Sequence, residues 1–128
     1  MRLLLDTHAF LWFVWDDPQL SPAARAAIES IDNEIFSSVA TPWEVAIKIS
    51  TGKLAIGQDV EPYFTEHLAG NQITVLPILL SHADTISRLP FHHKDPFDRL
   101  LVAQSLVENM PVLSADTILD AYGVNRLW

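Results

Sequence analysis

Four carboxylates stand out by where they fall in the chain: Asp6, Glu44, Asp98 and Asp116. Each has an ordinary local role open to it. Asp6 and Asp116 each separate a short apolar run from a helix-like segment, where an Asp commonly caps the helix by accepting a backbone N–H. Glu44 follows Thr41 at capping-box spacing and precedes Lys48 at helical ion-pair spacing. Asp95 is a natural cap before Pro96, which leaves Asp98 in a first helical turn, where a carboxylate favours the helix dipole. Convergence points beyond capping. In an open parallel sheet, ligands bind beyond the carboxyl ends of the strands; Asp6 and Asp116 fall at such ends, and Glu44 and Asp98 start helices that can face the same crevice. Acids gathered there repel unless protonated or paired. A hard divalent cation removes the conflict, and oxygen-only ligands suit Mg2+ or Mn2+. Two such ions about 4 Å apart can activate water and stabilise both the attacking and the leaving oxygen of a phosphodiester displacement. Cleavage of RNA or DNA is the chemistry open to this quartet.

The elements that must position these acids alternate between strand and helix. Arg2 to Leu5 reads as a strand and Thr7 to Trp15 as a helix that is apolar almost all round. Ser21-Pro22 opens a second helix with Ala24, Ala27, Ile28 and Ile31 on one face. Ile35 to Ser38 is the next strand, followed by a helix from Thr41 that Gly52 stops. A further helix runs from Val60 to Ala69, a β-branched strand from Gln72 to Ile78, and a helix from Ser81 to Leu89. Pro90 and His92-His93 form a loop before the longest helix, opened by Asp95-Pro96, apolar on most of its circumference and ending near Asn109. Pro111 to Leu113 is a strand, Gly123 stops a short helix, and a last strand reaches Trp128. Such alternation predicts an α/β fold with a mostly parallel sheet covered on both faces.

Composition sets limits. The 128 residues, 49% of them hydrophobic, fit a single domain at 1–128 without repeats or low-complexity segments. There is no cysteine, so a disulfide framework, a thiolate zinc site and a cysteine nucleophile are all excluded. The apolar run Ala9 to Trp15 is too short to span a bilayer and lacks a basic leader, so a cytoplasmic protein is expected, with no membrane partner. Eight Lys+Arg against 16 Asp+Glu give a net charge of −8, the opposite of the usual nucleic-acid footprint. Divalent cations held by clustered acids would reverse the local sign.

Asp6 after the first strand, Trp43-Glu44-Val45-Ala46 on a helix, the run Asp95-Pro96-Phe97-Asp98-Arg99-Leu100-Leu101-Val102-Ala103-Gln104, and Ser114-Ala115-Asp116 together resemble the PIN-domain nucleases. The match is closest to the VapC-type toxins of bacterial and archaeal type II toxin–antitoxin modules, and it extends from the first residues to the last strand. The Asp95 to Gln104 segment is its most specific part. The resemblance implies a PIN-like three-layer α/β/α sandwich, Mg2+- or Mn2+-dependent endoribonuclease activity, homodimerisation, and inhibition by a cognate VapB-type antitoxin. Carried over by position, Asp6, Glu44, Asp98 and Asp116 match the family's acids as both metal ligands and catalytic groups. Asp98 is favoured over Asp95 because the Ala-containing apolar run after it matches the family register; Asp95 is left to cap the helix.

Other residues offer weaker signals. His8, His92 and His93 lack helix-face zinc spacing, and proton transfer is the role left to them. Thr7 and Ser114 can orient a water or a phosphate, although such residues more often cap. Arg99 and Lys48 can contact phosphate, although solvated ion pairs are the commoner fate. Trp12 and Trp15 lie on a helix that the Ala-rich second helix covers only in part, so some of that surface should bury against another chain. The rival reading is a PIN-like RNA-binding or RNA-processing module without a toxin role, its acids serving as caps. No Gly-rich phosphate loop precedes a helix, which argues against nucleotide hydrolysis.

Overall fold

In β1 (Arg2–Leu5) successive leucines are buried on opposite faces: Leu3 and Leu5 join one apolar cluster and Leu4 the other. A strand buried on both sides needs helices on both sides. The computed structural model, which describes residues 1–128, supplies them. On one face lie α1 (Thr7–Val14), α2 (Pro22–Glu29), α3 (Ala40–Ser50) and α4 (Val60–Gly70), which contribute Phe10, Ile28, Val45 and Phe64 to the cluster around Leu3 and Leu5. On the other lie α6 (Pro96–Glu108) and a 3-10 helix (Thr117–Tyr122), which pack Leu101, Val102, Leu119 and Tyr122 around Leu4. The α5 helix (Leu80–Ile86) runs beside α6 on that side.

The five strands are all parallel, in the order β3-β2-β1-β4-β5, where β2 is Glu34–Ser38, β3 Ile73–Leu76, β4 Val112–Leu113 and β5 Arg126–Leu127. This is the three-layer α/β/α architecture expected from the alternation of elements. The chain moves outward from β1 on one side and returns to β1 on the other, so the β1/β4 boundary is the switch point where crevices form in such sheets. Register puts Leu5 beside Ser37 on one side and beside Leu113 on the other. The residues after those positions therefore emerge together at the carboxyl edge.

The helix α6 is the central buried one, with Arg99 through Ser105 all buried. It stops at Asn109 with a left-handed φ of 51°, and Gly123 ends the 3-10 helix at φ 78°, a conformation that favours a residue without a Cβ.

Several boundaries differ from the sequence reading. Ile31 lies beyond the end of α2 and is 98% exposed, because the helix stops at Ser30 before that face can continue. The strand expected from Gln72 to Ile78 keeps only the four residues that pair with β2. The α3 helix begins at Ala40 with Val39 as its cap residue, so Thr41 does not cap and Glu44 falls in the second turn. Trp12 is covered from within the chain, its ring meeting Trp128 edge-on at 5.9 Å, while Trp15 remains 42% exposed.

Candidate active site

Asp6 leaves the end of β1 at the centre of the sheet, its backbone N–H continuing the ladder to the Leu113 carbonyl at 3.1 Å. Its side chain does cap α1, accepting from the Ala9 N–H at 2.7 Å. Asp116 caps the 3-10 helix through the Ile118 N–H at 3.0 Å, while its own N–H donates to Ser114 Oγ at 3.0 Å. Capping and gathering thus coexist, because each carboxylate has two oxygens and the cap occupies one of them.

Glu44 reaches the crevice from α3. The Thr7 hydroxyl donates to Glu44 Oε1 at 2.7 Å in a buried contact, and Lys48 holds Oε2 at 2.8 Å. Asp98 arrives from the first turn of α6, directed by Asp95, which accepts from the N–H groups of Phe97 at 2.8 Å and Asp98 at 3.3 Å. Asp95 therefore caps, as its place before Pro96 suggests, and Asp98 faces the other acids. Thr7, Ser38, Thr41, Glu44, Phe97 and Asp98 line one narrow cleft.

The electrostatics follow from this crowding. Burial, and next the neighbouring charge of Asp95, push the Asp98 carboxyl up to about 7, with Asp6 and Glu44 adding to the rise and His93 opposing it. Burial likewise raises Asp6, against the hydrogen bond from the Ala9 N–H. These are carboxylates short of positive charge. A donor set of carboxylate oxygens fits a hard divalent cation, which would supply the missing charge.

His93 belongs to this site, where the sequence reading left it only a weak candidacy for proton transfer shared with His8 and His92. Its Nε2 lies 2.8 Å from Asp116 Oδ2 and 3.1 Å from Asp98 Oδ2, so the ring bridges the two carboxylates. Nδ1 accepts from the Asp95 N–H at 3.1 Å, so the neutral ring carries its proton on Nε2 and offers it to the acids. The loop that carries it is pinned: the Tyr122 hydroxyl accepts from the N–H groups of His92 at 3.0 Å and His93 at 2.8 Å. Arg99 completes the strap. It is buried, donates to the carbonyls of Pro90, Leu89 and Ile86 and to Tyr122 Oη, and stacks under Phe91 at 4.1 Å. With its guanidinium taken up by these carbonyls and Tyr122, Arg99 is not the solvated ion pair the sequence suggests. The only local signal for His93 was its place two residues before Asp95.

The remaining candidates separate cleanly. His8 is exposed and packs against Trp12 at 5.3 Å, and His92 lies edge-on to Tyr122 at 5.0 Å; neither joins the group around Asp98. Thr7 donates to the Glu44 carboxylate, and Ser114 accepts from the Asp116 backbone N–H. Arg126 bonds the Ser114 carbonyl at 3.0 Å and pairs with Asp120 at 2.8 Å, which fixes the turn leading to Asp116.

A parallel sheet with acids converging on its switch point defines a class: three-layer α/β/α proteins with an acidic site at the carboxyl edge. The family model described as the PIN domain matches residues 3–125, and the chain belongs to that family. No curated protein matched the sequence. Among solved structures it is similar to a chain of VapBC2 from Rickettsia felis, bound to a DNA fragment from their promoter. That match has a TM-score of 0.75 and 12% identity and covers 99% of this chain and 98% of that one. It is similar also to FitAcB from Neisseria gonorrhoeae, with a TM-score of 0.65, 19% identity, and coverage of 98% and 96%. A third is VapBC-1 from nontypeable Haemophilus influenzae, with a TM-score of 0.63, 17% identity, and coverage of 99% and 97%. No helix of the chain is long and apolar enough to cross a membrane.

Proposed function

We propose that this protein is a divalent-metal-dependent endoribonuclease acting as the toxin of a toxin–antitoxin pair, its residues 1–128 forming one PIN domain. The observation that carries the reading is the crowding of acids around Asp98, whose pKa is raised by burial and then by Asp95, Asp6 and Glu44, and which shares His93 with Asp116. Asp6, Glu44, Asp98 and Asp116 would hold Mg2+ or Mn2+, which when bound supplies charge neutralisation and a more acidic water for phosphodiester hydrolysis. The chain's own part is preorganisation. Thr7 and Lys48 hold the two oxygens of Glu44, Ser114 Oγ accepts from the Asp116 N–H and fixes the turn that bears it, and His93 spans Asp98 and Asp116.

The toxin role is supported by PIN membership together with likeness to chains of the VapBC and FitAB assemblies. It implies a VapB-type antitoxin partner and a homodimer, for which the exposed Trp15 offers apolar surface. A guanidinium from such an inhibitor would compete with metal for the same carboxylates. The test incubates purified protein with total RNA, with and without EDTA, and maps the ends produced. Metal-dependent cuts absent from Asp98→Asn support the reading. Cutting unaffected by EDTA overturns the metal, and RNA bound but never cut in Mn2+ marks a binding module instead.

A further inference from the structure

The cations of this acidic chain are distributed unevenly. Of its five arginines, Arg25, Arg88 and Arg126 are paired with Asp16, Asp84 and Asp120, Arg99 is buried among carbonyls, and Arg2 stacks on Phe36 at 5.4 Å. All three lysines, Lys48, Lys53 and Lys94, line one groove of about 390 Å3 between the end of α3 and the start of α6. Lys53 and Lys94 are exposed and form no ion pair. The groove shares Glu44 and Phe97 with the cleft that holds Asp98, so it adjoins the acid site. Phe97 is the aromatic residue that lines it, and beside the groove Trp43, 60% exposed, meets Phe97 edge-on at 5.0 Å.

We propose that the Lys48–Lys53–Lys94 groove is the track for the single-stranded stretch of substrate next to the cleaved bond. Lys53 and Lys94 would hold its phosphates, and the Trp43–Phe97 pair would stack a splayed base. The proposal rests on the nuclease reading above and names the surface that delivers substrate to it. Charge complementarity selects the occupant. With net charge −8, phosphates are repelled from most of the surface, and unpaired lysines beside the acid site are the place where a polyanion is attracted. The aromatic pair favours a single strand over a duplex, because bases in a duplex are already stacked on one another.

The test separates binding from cleavage. Anisotropy of a fluorescein-labelled, mixed-sequence 12-nucleotide RNA is titrated with Asp98→Asn protein, with and without Lys53→Gln and Lys94→Gln together, across a salt series. Losing two phosphate contacts should make the slope of log affinity against log salt shallower by about 1.4, at about 0.7 per contact for single strands. Trp43→Ala should weaken binding by about 5- to 150-fold with little change in that slope, as expected for stacking. In cleaving protein, the lysine changes should raise KM more than they lower kcat. An unchanged slope and affinity in the double lysine variant overturns the groove assignment even if wild-type protein cleaves RNA. A variant that keeps RNA affinity but loses affinity for an oligoglutamate peptide assigns the groove to an acidic protein segment and overturns it as well. Failure of wild-type protein to cleave any RNA in Mn2+ strikes instead at the nuclease reading.

Discussion

Replacing Asp98 by Asn should make the metal-free protein more stable above neutral pH while ending cleavage. The Asp98 carboxyl is pushed from an ordinary 3.8 up to about 7, first by burial and then by Asp95. Between those values the native chain holds a proton that the unfolded chain has released, so wild-type stability falls as pH rises across that window. At about 1.36 kcal/mol per pH unit, the gap sets a ceiling of about 4 kcal/mol on the cost of ionised Asp98 at pH 8. Because the side chain keeps 29% of its surface exposed, water and salt relieve part of that cost, and the expected gain is about 1–3 kcal/mol. For a chain of this size that is a rise in Tm of about 4–12 °C. Asn preserves shape and carries no charge, so the gain should vanish near pH 4, where wild-type Asp98 is itself protonated in the folded chain. Urea melts of both proteins in EDTA from pH 4 to 8.5 measure this directly. A gain equal at pH 4 and pH 8 would assign the effect to packing, and no gain at pH 8 would refute the charge-crowding argument.

Mn2+ should raise the wild-type melting temperature by mass action, by about 2.7 kcal/mol of stabilisation at a hundredfold excess over Kd. The rise should be smaller at pH 5.5 than at pH 8, since protons compete for Asp98; a curve unmoved by millimolar Mn2+ in metal-free protein would count against the site. His93→Ala should weaken Mn2+ binding by about 10- to 100-fold in calorimetric titration. His93→Gln, which keeps an N–H donor, should recover part of that loss, and equal losses in the two variants would deny His93 its positioning role. Arg99→Leu should cost about 1–3 kcal/mol in urea melts by stripping donors from part-buried carbonyls. It should also speed hydrogen exchange at His92 and His93, and protection as in wild type would show that Tyr122 alone pins the strap.

Most of the architecture is legible in the amino-acid order because the signals that specify it are local. Leu3, Leu4 and Leu5 must be buried on both faces, Pro22 and Pro96 mark helix starts, and Gly52 and Gly123 sit where the backbone turns left-handed. The same locality singles out Asp6, Asp98 and Asp116 as candidates, since each follows a strand end or stands in the first turn of a helix whose direction the parallel sheet dictates, whereas Glu44 lies a turn further into α3. The strap over the site is not local. Arg99 reads as a surface cation on a helix, and only the fold places it under Pro90, Leu89 and Ile86, whose carbonyls accept its donors. His93 reads as one of two histidines in a loop, and its aim at Asp98 and Asp116 depends on Tyr122, distant in sequence, taking the N–H groups of both. Thr7 and Glu44 likewise meet only because α1 and α3 leave neighbouring strands at the same edge. Hydrophobic period and capping residues act over a turn or two of chain, so they determine elements and their order. Hydrogen bonds between segments far apart in sequence form only once the sheet has set those segments side by side, and at this site they decide which histidine faces the acids.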